Sequence, residues 1–461
     1  MKSSLAEIRP WISHAALADA TAADAAFDGV STDSRNISVG NLFVALRGEH
    51  FDAHEFLNDV AAKGAVAVVA ERVPHGFALP ALVVPDTRVA LGQIAAGWRR
   101  KFALPVIAVT GSNGKTTVKE MIASILAAAF GAEQCLATRG NLNNDIGVPL
   151  TVFRLDASMK AAVIELGMNH PGEIAQLATI AQPTVALVNN AQREHQEFME
   201  SVEAVAKENG AVLCALPPGG TAVFPADDVY TGLWRSYAMD GDRKVMTFGL
   251  TDEADVSGSY IASDFGSELS IRTATASFKA RLAAAGEHNV RNALAATACA
   301  LAAGINVDAI VRGLESFAPV NGRLQRKTAH TGAMVIDDTY NANPDSVRAA
   351  IDVLANAAAP RVLVLGDMGE VGSDGPQFHE EVGAYAKARG IDRLLALGEL
   401  ARHSVQAFGS RAQHFADIDA LNQAVDALAA DATVLVKGSR FMKMERVVRH
   451  LVNQTPVQEA H

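Results

Sequence analysis

The stretch Val106-Ile107-Ala108-Val109-Thr110-Gly111-Ser112-Asn113-Gly114-Lys115-Thr116-Thr117-Val118 decides the fold. An uninterrupted apolar run reads as a buried strand, the glycines mark a tight turn, and an apolar-periodic helix follows over 118–130. Glycines let consecutive backbone N–H groups and a helix N-terminus converge on phosphate oxygens. Lys115 then reaches the β- and γ-phosphates, and the Thr116 hydroxyl is suited to Mg²⁺. The pattern departs from GxxxxGK[ST] at its first position, where Val109 replaces glycine. A plain strand-to-helix turn would explain the glycines but not Gly-Lys-Thr-Thr in register. The loop predicts a nucleotide-triphosphate site, without saying what the triphosphate drives.

Outward from the loop, 161–164 and 185–188 read as further buried parallel strands. In an open parallel sheet, ligands lie beyond the C-terminal strand ends. Glu165 ends the first of these runs and is placed to hold Mg²⁺, unless it is merely an exposed strand-end acid. The second runs into Asn189-Asn190-Ala191-Gln192-Arg193-Glu194-His195, where His195 is a candidate only in company with Glu165 and the loop.

Three polar segments lie further on. In Gly286-Glu287-His288-Asn289-Val290-Arg291-Asn292, Asn289 resembles a helix N-cap; His288, Asn289 and Asn292 could equally hydrogen-bond an adenine. Asn321-Gly322-Arg323 sits at an expected domain boundary, where an arginine could swing onto phosphate as domains close. In Ile336-Asp337-Asp338-Thr339-Tyr340-Asn341-Ala342-Asn343-Pro344-Asp345-Ser346, Asn343 as N-cap and Pro344 as first helical residue have structural explanations. Asp337, Asp338, Tyr340 and Asn341 do not, and so many polar groups at a strand end suggest ligand contact.

The 461 residues exceed one ordinary core and predict three domains. Residues 1–103 mix strands at 41–46 and 65–70 with a helix at 56–63, and 104–322 hold the loop and a β-rich section over 220–280. In 323–461, strands at 334–336, 362–365, 394–397 and 434–436 alternate with helices. The expected class is α/β: a small mixed domain, a central parallel-sheet domain of the P-loop ATPase kind, and a Rossmann-like third domain. A net charge of −11 gives no basic footprint for nucleic acid. Cys135, Cys214 and Cys299 show no CxxC spacing, so reduced thiols are expected rather than a disulfide or zinc site. The N-terminus lacks a signal-peptide pattern, and the alanine-rich run at 294–305 is too short to span a bilayer. A cytoplasmic protein without membrane insertion is expected.

Thr110-Gly-Ser-Asn-Gly-Lys-Thr-Thr117, Ile164-Glu-Leu-Gly167, Gly286-Glu-His-Asn-Val-Arg-Asn-Ala293, Asn321-Gly-Arg323 and Asp337-Asp-Thr-Tyr-Asn-Ala-Asn-Pro-Asp-Ser346 occur in the order found in Mur ligases. The chain resembles that family over nearly its whole length. The resemblance implies an ATP- and Mg²⁺-dependent ligase, with Lys115, Glu165 and His195 as catalytic groups and Thr116, Glu165 and His195 at the metal. ATP contacts would fall on Thr110, Gly111, Ser112, Asn113, Gly114, Lys115, Thr116 and Thr117, and on His288, Asn289, Asn292, Arg323, Asp338 and Asn341. Segments 31–35 and 42–48 resemble those that hold the UDP-sugar, implicating Ser34, Arg35, Ala45 and Arg47. Segment 141–149 resembles the loop that meets the muramoyl peptide, implicating Asn141, Asn143 and Asn144.

Within the family, Leu365-Gly-Asp-Met-Gly-Glu-Val-Gly372 with His379 resembles the D-alanyl-D-alanine-adding branch, and the arginine signature of the diaminopimelate-adding branch is missing. The implied substrates are UDP-N-acetylmuramoyl-tripeptide and D-alanyl-D-alanine, the latter on the third domain, which would close over ATP; a monomer is expected. Many relatives carry a carbamylated lysine fourteen residues beyond the histidine matching His195. Here that interval reaches Asn209, and Lys207 could serve only after a shift of helix register. The rival readings are a folylpolyglutamate synthetase-like ligase and a nucleotide-gated binding protein.

Overall fold

The computed structural model describes residues 1–18, 24–194, 197–263 and 265–452. Val106–Thr110 is a strand inside a nine-stranded sheet. The order across that sheet is Ser277–Leu282, Gly266–Arg272, Val256–Ser263, Lys244–Gly249, Thr221–Pro225, Val185–Val188, Val106–Thr110, Ala161–Glu165 and Cys135–Ala137. Pairings from Val256–Ser263 through Cys135–Ala137 are parallel, and those of Gly266–Arg272 with its two neighbours are antiparallel. Both faces of the middle strands are covered, which is why they read as continuous apolar runs. Val106, Ala108, Ala162 and Ile164 face one core. Ile107, Val109, Ala161 and Val163 face the other, against Val118, Ile122 and Ile125 of the helix Lys115–Phe130.

The amino-terminal unit holds a five-stranded sheet in the order Ala16–Leu17, Ala81–Val83, Ala67–Ala70, Leu42–Val44 and Val30–Ser31. The expected strand–helix–strand segment is present, with the helix at Leu57–Ala62. The helix Thr87–Arg99 is capped by Asp86, whose side chain accepts from the N–H groups of Arg88 and Val89. Its apolar face, including Leu91, Ile94 and Trp98, joins the core on one side of the central sheet. At its end the buried Arg99 guanidinium donates to the carbonyls of Ala181 and Gln182, which ties the two units with charge-assisted bonds.

The carboxy-terminal unit has six strands in the order Gln325–Thr328, Met334–Asp338, Thr433–Lys437, Arg361–Gly366, Arg393–Leu397 and Ala412–Phe415. Only the first pair is antiparallel. Leu363 and Leu365 face one core and Val362 and Val364 the other, so this sheet too is covered on both sides. The architecture is α/β with parallel-rich sheets, as expected. Gln325–Thr328 and Ala412–Phe415 escaped the sequence reading because they are short, half-exposed edge strands without an apolar run. The β-rich section over 220–280 also contains a helix, Thr231–Met239. Among the described residues, no helix is long and apolar enough to cross a membrane.

Candidate active site

The phosphate loop is fixed by its glycines and by two asparagines from the neighbouring strand end. Gly111 and Gly114 have φ of +132° and +82°, a region that L side chains avoid. A Cβ on Gly114 would lie 2.6 Å from Asn292 Oδ1 and 2.8 Å from Asn189 Nδ2, so the position also needs the space. Asn190 accepts from the Asn113 N–H (2.8 Å), and both Asn189 Nδ2 and Asn190 Nδ2 donate to the Asn113 carbonyl. Val109 explains the departure from the common motif. It is a fully buried strand residue paired with Glu165 and Leu187, so the turn begins only at Gly111.

Lys115 lies over the loop, donating to the carbonyls of Gly111 (2.6 Å) and Ser112 (3.1 Å) and pairing with Glu194 at 3.0 Å. Thr116 Oγ1 is 3.3 Å from Glu165 Oε1, which also accepts from Asn143 Nδ2 at 2.8 Å. Glu165 is 2% exposed, and its other oxygen, Oε2, is buried with no hydrogen-bond partner. An orphaned carboxylate oxygen beside a loop threonine suits a hard divalent cation, so the residues present fit Mg²⁺. Among the described residues no three His, Cys, Asp or Glu side chains gather at one point. His195, the third expected ligand, lies outside the described residues.

Thr110 sits beneath the loop, 1% exposed, its hydroxyl donating to Asn209 Oδ1 at 2.6 Å. Asn209 is itself buried, and its Nδ2 has no partner. Lys207 points away and pairs with Glu203 one turn earlier on the exposed face of the same helix. Asn209, not Lys207, therefore faces the loop strand.

Two cavities meet at Asn113 and Gly114. One, of 310 Å³, is walled by His288, Asn289 and Asn292 from the central unit and by Asp338, Ala349 and Ala350 from the third. The other, of 560 Å³, is walled by Lys115, Thr116, Glu165, Asn143, Asn144, Tyr340 and Asn341. Arg323 and Lys437 line both. Burial holds His288 below its ordinary pKa, which favours a neutral ring able to donate and accept. Asn289 is not the helix cap, which corrects one of the two expectations. The helix Glu287–Ala302 starts from Gly286 with no side-chain cap, while Asn289 donates back to the Ala285 carbonyl. Its Oδ1 accepts from Asn292, whose own Oδ1 accepts from Asn189.

The third unit contributes a second charged cluster. Asp338 is 7% exposed and accepts from the Leu324 N–H and from Lys437 Nζ at 2.6 Å. Lys437 also donates to the Asn341 carbonyl at 2.9 Å, and burial pulls its pKa down despite the carboxylate. The Arg323 guanidinium lies 4.1 Å from the centre of the Tyr340 ring, a cation–π contact that aims it at both cavities. Asn343 caps its helix through a capping box with Ser346, as expected, and also donates to Asn113 Oδ1 across the units at 2.9 Å. Asp337 faces elsewhere, paired with Lys327.

Lys437 and the Asn189–Asn190 pair were not singled out from the sequence. Lys437 had a usable signal, a lone cation ending the apolar run Thr433–Lys437, the same logic that marked Glu165. His379 proves to be a structural staple: Nδ1 lies 2.7 Å from the Gly375 carbonyl and Nε2 accepts from the Met368 N–H.

The expected sugar-nucleotide residues lie apart from both cavities. Ser34 is buried and gives its carbonyl to Lys63, while Arg35 is exposed and paired with Asp33. Ala45 is fully buried with its N–H bonded to the Val69 carbonyl, and Arg47 is exposed on the same unit. Asn141 is exposed and gives its carbonyl to the Asn143 N–H. Asn144 Oδ1 accepts from the N–H groups of Ile146 and Gly147, which fixes the loop beside Asn143.

A loop for phosphates, a cavity large enough for a nucleoside and an adjoining polar cavity define an α/β nucleotide-binding protein whose site is split between two units. Three Mur ligase family profiles match: the catalytic domain over residues 26–99, the middle domain over 109–300 and the glutamate ligase domain over 322–440. The chain is 44% identical to the UDP-N-acetylmuramoyl-tripeptide–D-alanyl-D-alanine ligase of Escherichia coli, covering 93% of this chain and 94% of that one. It is 38% identical to the Haemophilus influenzae enzyme of the same description, covering 92% and 93%. Among solved structures, MurF from Acinetobacter baumannii superposes with a TM-score of 0.90 at 35% identity, covering 98% of this chain and 99% of that one. MurF of Thermotoga maritima, in complex with ADP, gives 0.83 at 25% identity, covering 92% and 97%. A folylpolyglutamate synthase from Mycobacterium tuberculosis shares the fold at 18% identity. The chain belongs to the Mur ligase family.

Proposed function

We propose that this protein joins D-alanyl-D-alanine to UDP-N-acetylmuramoyl-tripeptide at the expense of ATP, a step in building peptidoglycan precursors. The observation that carries the reading is the meeting of the two cavities at Asn113 and Gly114, with Arg323 and Lys437 lining both. The smaller cavity takes adenosine, with Pro225, Phe248, Ala349 and Ala350 as the apolar part of its lining. The β- and γ-phosphates lie on the loop, so the γ-phosphate faces the larger cavity and the peptide. On this reading 1–103 would serve the sugar nucleotide, 104–322 ATP and 323–461 the dipeptide.

A carboxylate is a poor electrophile, and phosphorylation gives it a leaving group. An oxygen of the tripeptide's terminal carboxylate attacks the γ-phosphorus; the bond to the β-bridging oxygen breaks, leaving an acyl phosphate and ADP. The neutral dipeptide amine then attacks the acyl carbon, and the tetrahedral intermediate expels phosphate as the amine loses its proton. Lys115, swung from Glu194 onto the phosphates, and Arg323 offset charge on the moving phosphoryl group. Glu165 and Thr116, with His195, would hold Mg²⁺, which supplies Lewis-acid charge neutralisation when bound. Asn143 orients the Glu165 carboxylate by its 2.8 Å bond. One chain carries every group invoked, so a monomer suffices, and the cytoplasm supplies ATP and nucleotide-linked precursors.

The test is to incubate the protein with ATP, UDP-N-acetylmuramoyl-tripeptide and D-alanyl-D-alanine and identify the product by mass. The expected product is the pentapeptide with stoichiometric ADP and phosphate. ADP release that needs neither peptide nor amine would favour a nucleotide-gated binding protein and defeat the reading.

A further inference from the structure

Arg193 follows the strand Val185–Val188 on the central unit, yet its side chain is spent on the third unit. It lies between the helices Pro344–Ala355 and Gly375–Ala388. Nη2 donates to Asp345 Oδ1 at 2.6 Å, Nε reaches both Asp345 oxygens at 3.2 Å, and the Arg193 N–H donates to Asp345 Oδ2 at 2.9 Å. On the other helix, Nη1 donates to Glu381 Oε2 at 2.7 Å and Nη2 to Oε1 at 3.0 Å. The guanidinium also lies 5.3 Å from the Phe378 ring centre, and Arg348 steadies Glu381 with a 2.6 Å bond.

We propose that Arg193 is a positioning residue, a latch that sets the register of the third unit on the phosphate loop and so seats Asp338, Tyr340 and Lys437 against the nucleotide and peptide cavities. The proposal rests on the ligase reading above. An ordinary surface ion pair contributes little, because solvent screens it and two long side chains must be ordered. Here one planar fork is shared by two carboxylates on two helices, and its side chain is 22% exposed. The two carboxylates raise the guanidinium's pKa, and Arg193 leads the causes that lower the pKa of Glu381. Asp345 is also two residues from Asn343, which bonds Asn113 of the phosphate loop across the units. A lysine ammonium cannot span both carboxylates with paired bonds, so the chemistry calls for arginine.

The test uses the full chain and the variants Arg193→Ala, Glu381→Ala and both together, with kcat measured at saturating ATP, tripeptide substrate and D-alanyl-D-alanine. Each single substitution is expected to lower kcat about tenfold, and the double to be no worse than the more damaging single, because both remove the Arg193–Glu381 bonds across the units. X-ray scattering without ligands should show Arg193→Ala with a larger radius of gyration than the wild type. Should Arg193→Ala not fold, Arg193→Lys and Glu381→Gln are read the same way. Variant rates within twofold of wild type with unchanged scattering, or multiplicative losses in the double variant, would overturn the latch. A wild type that makes no pentapeptide would overturn the ligase reading instead, with scattering still deciding the latch.

Discussion

Replacing Gly114 by alanine separates the two demands that the phosphate loop places on that position. At φ +82° a Cβ costs about 1–2 kcal/mol of backbone strain in its own right. Gly304, the turn residue after the helix Glu287–Ala302, has φ +81° and nothing within 4 Å of a built Cβ, so Gly304→Ala measures that strain alone. At Gly114 the new methyl group would also meet Asn292 Oδ1 at 2.6 Å and Asn189 Nδ2 at 2.8 Å. Those two atoms are bonded to each other at 3.0 Å, and the same Asn189 Nδ2 holds the Asn113 carbonyl at 2.8 Å. Making room means parting them, and each buried polar group left unpaired costs about 1–3 kcal/mol. Two such losses in the binding-competent loop amount to about 3 kcal/mol, roughly a hundredfold in nucleotide affinity. Titration calorimetry with ADP and Mg²⁺ on the wild type and both variants reads this directly. Gly304→Ala should bind ADP like the wild type while losing some thermal stability. If Gly114→Ala binds within threefold of Gly304→Ala, the loop does not depend on the asparagine lattice, and the reasoning fails.

Lys115→Ala should remain folded yet lose about a hundredfold or more in ligation rate, since a preorganised cation is removed from the phosphoryl path; near-normal turnover by the folded variant would refute its role. Lys437→Met leaves Asp338 buried without its 2.6 Å partner and should raise the KM for ATP about tenfold, whereas an unchanged KM would detach this pair from the nucleotide. Asp227 is held below its ordinary pKa of 3.8 chiefly by its paired bonds to Arg291. Because the folded-state value is the lower one, that stabilisation is complete above 3.8 and is lost as pH falls through the lowered value. Asp227→Asn should thus cost about 0.5–1 kcal/mol at neutral pH, with the gap closing in acid; a gap that widens in acid would contradict the assignment. D-alanyl-D-alanine should far outpace diaminopimelate as the amine in competition assays, and equal rates would place the enzyme one ligation earlier.

What was legible in the sequence was whatever is enforced by a period or by local backbone chemistry. The parallel strands at Ala161–Glu165 and Val185–Val188 could be read because burial on both faces leaves only apolar residues possible. The loop could be read because positive φ at Gly111 and Gly114 strongly favours glycine. Glu165 could be read because a charge ending such a run has no packing reason to be there, and Lys437 was open to the same argument. The contacts between units were not legible. Asn343 was fully explained as a helix cap, and nothing local says that it also touches Asn113, 230 positions away. Arg193 and Asp345 passed as ordinary polar residues for the same cause: their bond joins segments 152 positions apart. Asn209 marks the middle case. Its place could be counted from the family pattern, but only the fold shows it buried against Thr110 with Lys207 turned to solvent. A neutral amide there adds no negative charge beside the loop, where we propose that Glu165, with its unpartnered buried oxygen, and His195 carry more of the metal binding.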